Sequence, residues 1–204
     1  MSLTGKPTKS DVVTDFRRSQ VLDAARTCFS RNGLTGTTMD GIARSAGVAK
    51  GTVYLYYKSK EDILRQVLDE DLGQFQNDLL PVISGPGAIQ DRLRRFIIST
   101  LTFFDLKRDF FEQVHFEMGP DVRKKSLQKL EELFKSQVDS WQTALADAQK
   151  AGLLGPIDLH ATALMVVAVA SGLAKQRIRG WVDGPIPEIA ELASVTLWKG
   201  LAAR

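Results

Sequence analysis

Apolar residues along most of this chain recur three or four positions apart, the spacing of one face of an α-helix. Val21, Ala25 and Phe29, with Leu22 beside them, form one such stripe over about four turns. Ile42, Ala43 and Ala46 form a shorter one, and Val53 and Tyr57 a third. Downstream, periodic segments are expected near 60–80, 88–107, 109–118, 121–151, 159–179 and 187–202. No segment alternates with the period of a strand. The prolines agree with this division. Pro81, Pro86, Pro120, Pro156, Pro185 and Pro187 are read as breaks between helices, and Pro7 lies in a Thr-, Ser-, Lys- and Gly-rich opening stretch. The pattern predicts an all-α fold of about nine helices.

The joints between the first helices are informative. Gly33 suits a left-handed cap, and Thr37 or Thr38 supplies a hydroxyl to start the next helix. Gly47 makes a tight turn where positive φ is tolerated, and Val48 plugs the corner. A helix over 50–56 then turns Val53 and Tyr57 inward and leaves Lys50, Gly51, Thr52, Tyr54, Leu55 and Tyr56 outside. Two tyrosines and a lysine on one short exposed helix suit a surface that something covers. Phenols and hydroxyls bond phosphate, while their apolar parts meet sugar or thymine methyls. Gly51 permits close approach. Ser59 with Asp62 three residues on caps the following helix, whose positive end, with Lys60 in its first turn, reads as a phosphate clamp. Two helices joined this way form a helix-turn-helix, whose second helix enters the major groove of DNA.

These residues also resemble the DNA-binding domain of the TetR family of transcriptional repressors. The likeness rests on Thr37-Thr38, Ile42-Ala43, Ala46-Gly47-Val48, Gly51-Thr52-Val53-Tyr54, Tyr56-Tyr57 and Lys58-Ser59-Lys60-Glu61, with Leu64 after them, and covers about Arg17 to Leu64. Three positions depart from the family pattern. Ala49 stands where a Ser or Thr cap is usual, Gly41 where a polar residue is commoner, and Tyr57 where Phe is usual. The resemblance implies a head of three helices with about six behind, operator DNA as partner, a homodimer, and an apolar pocket for a small inducer. Thr38, Lys50, Gly51, Thr52, Tyr54, Leu55, Tyr56 and Lys60 are the candidate DNA contacts. The expected divisions are a flexible arm over 1–15, a DNA-binding domain over 16–63, and a ligand-binding and dimerisation domain over 64–204.

Charge sharpens this picture. Residues 1–60 carry a net +6 and residues 61–204 a net −3, so the positive excess accompanies the motif. The single cysteine, Cys28, excludes a disulfide within the chain and suits a reducing cytoplasm. The apolar run over 161–174 reads as too short to span a bilayer. No Cys/His/Asp spacing indicates a metal site, and no triad, phosphate loop or paired carboxylates indicate an enzyme or a cofactor.

Six of the ten phenylalanines, Phe96, Phe103, Phe104, Phe110, Phe111 and Phe116, fall in one short stretch. Adjacent pairs cannot both face one core from one helix, so some of these rings are candidates to line a cavity. Phe103, Phe104, Phe111, His115, Phe134 and Trp141 are the candidate ligand contacts, with a hydrophobic or aromatic effector expected. The helix from Leu159 is apolar nearly all round. With the last helix it is expected to form a four-helix interface between two copies, using Ala168, Ala170, Ser171 and Trp198.

Overall fold

A computed structural model describes residues 9–115 and 117–201, with side chains over 13–114 and 117–200. Among the described residues there are nine helices and no strand. They are α1 (Lys9–Asn32), α2 (Met39–Ala46), α3 (Lys50–Tyr56), α4 (Lys60–Ser84), α5 (Ile89–Leu106), α6 (Arg108–His115), α7 (Pro120–Lys150), α8 (Leu159–Ile178) and α9 (Ile186–Leu201). The all-α expectation holds.

Two details differ from the sequence reading. Helix α1 begins at Lys9, so residues 9–15 of the expected arm are helical, while residues 1–8 lie outside the described residues. Pro81 lies inside α4 and does not end it. It occupies an exposed position near the C-terminal end of the helix, where its missing amide removes one intrahelical hydrogen bond without ending the helix.

The chain forms two compact units. Among the described residues, the first comprises 9–70 with 109–115 and 117–126, and the second 71–108 with 127–201. A single cut near residue 63 therefore does not describe the division. Segment 109–126 groups with the first unit, whereas the helical pattern places all of 64–204 in one domain.

In the first unit, Val21, Leu22, Ala25 and Phe29 of α1 are buried against Ile42, Ala43, Val53, Ile63 and Leu64. Each fully buried Leu, Ile, Val or Phe contributes roughly 1.5–3 kcal/mol of transfer free energy. Phe110, Val114 and Met118 complete this core. The apolar face of α6, an eight-residue helix, is the reason the segment belongs here.

In the second unit, α8 and α9 both pack along α5. Phe96 and Trp141 meet edge to face at 5.4 Å, both fully buried, among Leu93, Ile97, Leu145 and Val166. Asp105 at the end of α5 accepts two 2.9 Å bonds from Arg177 Nε and one of 2.9 Å from Arg108. Burial alone would raise the Asp105 carboxyl, but these guanidinium hydrogen bonds outweigh it and hold the group below its ordinary range. Helix α8 spans 20 residues and by length and composition is apolar enough to cross a membrane, contrary to the shorter run read from sequence. Its Thr162, Ala163, Val166, Val167, Ala170 and Ala174 are instead buried in this core.

Candidate nucleic-acid interface

The helix-turn-helix is built by local chemistry. Gly33 ends α1 at φ +67°, and its amide bonds Phe29 O at 3.0 Å. The buried Thr37 hydroxyl donates to Gly33 O at 2.7 Å and closes the turn. Thr38 is the N-cap of α2, its Oγ1 accepting from the Gly41 amide at 3.0 Å. A Cβ at Gly41 would lie 3.2 Å from Thr38 Oγ1, a tight contact that a small shift of the hydroxyl relieves. Gly47 caps α2 in the left-handed region at φ +67°. Its neighbour Val48 donates to Ala43 O at 3.1 Å, fixing the angle at which α3 departs.

Helix α3 starts at Ala49 with no side-chain cap bond, as the alanine there implies. Val53 is fully buried, and Tyr57 is its buried C-cap. The Tyr57 hydroxyl has no hydrogen-bond partner among the described residues. Burial pushes the phenol up, while the nearby Arg18 guanidinium pulls the other way without reaching hydrogen-bond geometry. On the outer face, Tyr54 is 49 % exposed and Leu55 79 % exposed. Lys50 and Gly51 are exposed, and Thr52 and Tyr56 half-buried. A Cβ added at Gly51 would meet nothing within 4 Å. Nothing in the protein therefore requires glycine at this place. Lys50 Nζ lies 2.8 Å from Asp40 Oδ1 and 6.0 Å from the Tyr54 ring centroid, and the hydrogen bond to Asp40 raises its pKa. Binding to phosphate would exchange one anionic partner for another.

Lys60 requires a correction. Its ammonium donates to Leu34 O at 2.7 Å, Thr37 O at 3.1 Å and Thr35 O at 3.3 Å. An ammonium has three protons, and all three are engaged with the α1–α2 turn. Lys60 is a structural cap, not a free phosphate clamp. The exposed cation at the head of α4 is Lys58, which makes no ion pair among the described residues. Arg44, in the last turn of α2, is also exposed. Sequence reasoning passed over both, although Lys58 stands in the same motif. Ser59 and Asp62 cap α4 reciprocally: the Asp62 amide donates to Ser59 Oγ at 3.2 Å, and Asp62 Oδ2 accepts from the Lys58 amide at 3.1 Å.

The candidate ligand residues do not form one group. Phe103, Phe104, Phe134 and Trp141 belong to the core of the second unit, where Phe103 stacks on Phe75 at 4.1 Å. Phe111 packs in the core of the first unit, because α6 folds there. The side chain of His115 lies outside the described residues. Of the candidate interface residues, Ala170 is fully buried in its own unit and is withdrawn as a dimer contact. Ala168 is exposed, and Ser171 and Trp198 are half-buried.

A short helix with an exposed aromatic and polar face, set by a glycine turn on a buried supporting helix, defines a helix-turn-helix DNA-binding protein. Residues 21–67 match the family model described as bacterial regulatory proteins, tetR family. The HTH-type transcriptional regulator YhgD of Bacillus subtilis is 26 % identical over 194 residues, 92 % of this chain and 97 % of that protein. The fatty acid metabolism regulator protein of Bacillus subtilis is 48 % identical over 56 residues, 28 % of this chain and 29 % of that protein. The solved structure of the transcriptional regulator FadR from Bacillus subtilis in complex with stearoyl-CoA has the same fold. It is 22 % identical, with a TM-score of 0.68 over 89 % of this chain and 98 % of that one. The fatty acid degradation regulator FadR from Bacillus halodurans, 18 % identical, gives a TM-score of 0.70 over 98 % of this chain and 100 % of that one. Residues 21–67 thus carry the DNA-binding domain described by the tetR family model, and the chain as a whole shares the fold of these solved regulators.

Proposed function

We propose that this regulator is a cytoplasmic repressor that binds operator DNA as a homodimer and is released by a small apolar ligand, with no catalytic activity of its own. The observation that carries the DNA half is the outer face of α3. Lys50, Gly51, Tyr54 and Leu55 are exposed side by side, with a glycine that no contact inside the protein requires. With Thr38 engaged as a cap and the half-buried Lys60 as a tie to the α1–α2 turn, Thr52, Tyr56 and Lys58 complete the proposed contact set.

The dimer reading draws on α8 and α9. Leu164 (42 % exposed), Met165 (53 %) and Leu192 (71 %) are large apolar residues open to solvent in the single chain, and Ala168 continues their face on α8. Beside α9, Pro187, Leu192 and Val195, with the charged Arg94, Glu188 and Glu191, line an open groove of about 570 Å³. A second copy covering this face would form the four-helix interface.

The ligand reading draws on the ring cluster of the second unit. The related regulator of Bacillus subtilis was solved with stearoyl-CoA, and an acyl chain is the class of ligand this aromatic and aliphatic core would suit. Trp141 is fully buried, and its indole N–H has no acceptor, which makes it the natural donor to a ligand carbonyl. The proposed domain roles follow: residues 16–63 for DNA, and the second unit for ligand and dimer.

Selection of duplexes from random oligonucleotides tests the DNA half. A pseudo-palindromic sequence should emerge, as two-fold symmetry requires. Selection of no duplex at low salt defeats the reading. Calorimetry of the selected complex against long-chain acyl thioesters tests the ligand half. Ligand should weaken DNA binding by the factor by which DNA weakens ligand binding.

A further inference from the structure

The α1–α2 turn is held from two directions, by opposite charges. Lys60 grips its carbonyls at Leu34, Thr35 and Thr37. From the loop after α6, the Glu117 carboxylate accepts the Thr35 amide at 2.7 Å, a short, charge-assisted bond across 82 residues of sequence. The carboxylate sits against the open side of Gly33, and a side chain there would oblige it to shift. A Cβ at Gly33 would lie 2.8 and 2.9 Å from the two Glu117 oxygens. The left-handed φ of +67° already favours glycine there, so conformation and clearance coincide at one residue.

What the turn controls is the start of α2. Thr37 closes it and Thr38 caps α2, and α2 carries α3 through the Gly47 corner. Glu117 is exposed, so its bond adds little to the core, but its neighbour Met118 and the α6 residues Phe110 and Val114 are buried in it. Buried residues thus lie on both sides of Glu117 along the chain. The chain leaves the second unit at Arg108 and returns at Leu127. Residues 109–126 are therefore an excursion into the DNA-binding unit, tethered to the other unit at both ends.

We propose that Glu117 is a positioning residue for DNA recognition, the latch by which segment 109–126 holds the α1–α2 turn in its DNA-binding geometry. This rests on the DNA-binding reading above. It also predicts a sign that electrostatics alone would reverse. Removing a carboxylate from a protein that binds a polyanion should strengthen binding, and removing the latch should weaken it.

The test uses the full-length protein and the duplex it selects. Glu117→Ala should lower affinity for that duplex by about tenfold, the scale of one charge-assisted bond, with an unchanged melting midpoint. Glu117→Gln keeps an acceptor oxygen and loses the charge, so it should bind as well as wild type or tighter. Amide exchange at Thr35 should be slow in wild type and in Glu117→Gln and fast in Glu117→Ala. Glu117→Ala binding as well as wild type overturns the proposal. So does rapid exchange at Thr35 in the wild-type protein, a measurement that stands even if a variant folds poorly. A wild type that selects no duplex overturns both this proposal and the DNA-binding reading. A wild type that binds normally beside an equally tight Glu117→Ala overturns the latch alone.

Discussion

Gly51→Ala separates what the protein needs from what its partner needs. Glycine inside a helix costs roughly 0.5–1 kcal/mol relative to alanine, because the unfolded chain has more freedom to lose. Gly51 sits in a helix of only seven residues, at an ordinary negative φ, and a Cβ there would touch nothing within 4 Å. The substitution should therefore stabilise the free protein by about 0.5–1 kcal/mol, a rise in midpoint of about 1–4 °C for a chain of this size. The added methyl would stand on the face between Lys50 and Tyr54, where a DNA backbone or base edge is proposed to approach. If that approach is in van der Waals contact, affinity for the selected duplex should fall by tenfold or more, about 1.4 kcal/mol. Denaturant unfolding followed by circular dichroism measures the first effect, and fluorescence anisotropy of a labelled duplex the second. The reasoning is refuted if the variant is more stable and binds DNA as tightly as wild type, for then Gly51 does not face the duplex.

Other outcomes follow from the same geometry. Lys60→Ala strips three carbonyls of their donor and should lower the stability of the DNA-binding unit by roughly 1–3 kcal/mol; a variant of undiminished stability whose salt slope for DNA binding falls by about one would restore the phosphate-clamp role instead. Met165→Arg places a charge on an exposed position of the single chain, so the fold should survive while sedimentation shows monomer in place of dimer; a wild type already monomeric at micromolar concentration ends the interface argument. Asp105 is held below its ordinary range in the folded state, so the stability it contributes is present above the unfolded aspartate value, near 4. That contribution is lost as pH falls through the lower folded value. Asp105→Asn should accordingly flatten the acid limb of a stability–pH curve, and an unchanged limb would mean that the Arg177 contact does not persist in solution.

The sequence by itself determined the helices and the DNA-binding motif, because both are written in local chemistry. Glycines at 33 and 47, the Thr38 and Ser59 caps, and the spacing of Val21, Ala25, Phe29, Ile42 and Val53 act over one or two turns, within reach of neighbours along the chain. Tertiary structure decided which cations and rings are available. Lys60 reads as a phosphate ligand until the α1–α2 turn, 23 to 26 residues upstream, closes over its ammonium. Phe111 reads as a partner of Phe103 until α6 docks on the other core, and Ala170 as an interface residue until it is buried in the core of its own unit. Glu117 carried no signal at all, since its importance lies in a backbone amide 82 residues away and in the missing side chain of Gly33. Periodicity assigns a residue to a face, but only the packing of distant segments decides what that face meets.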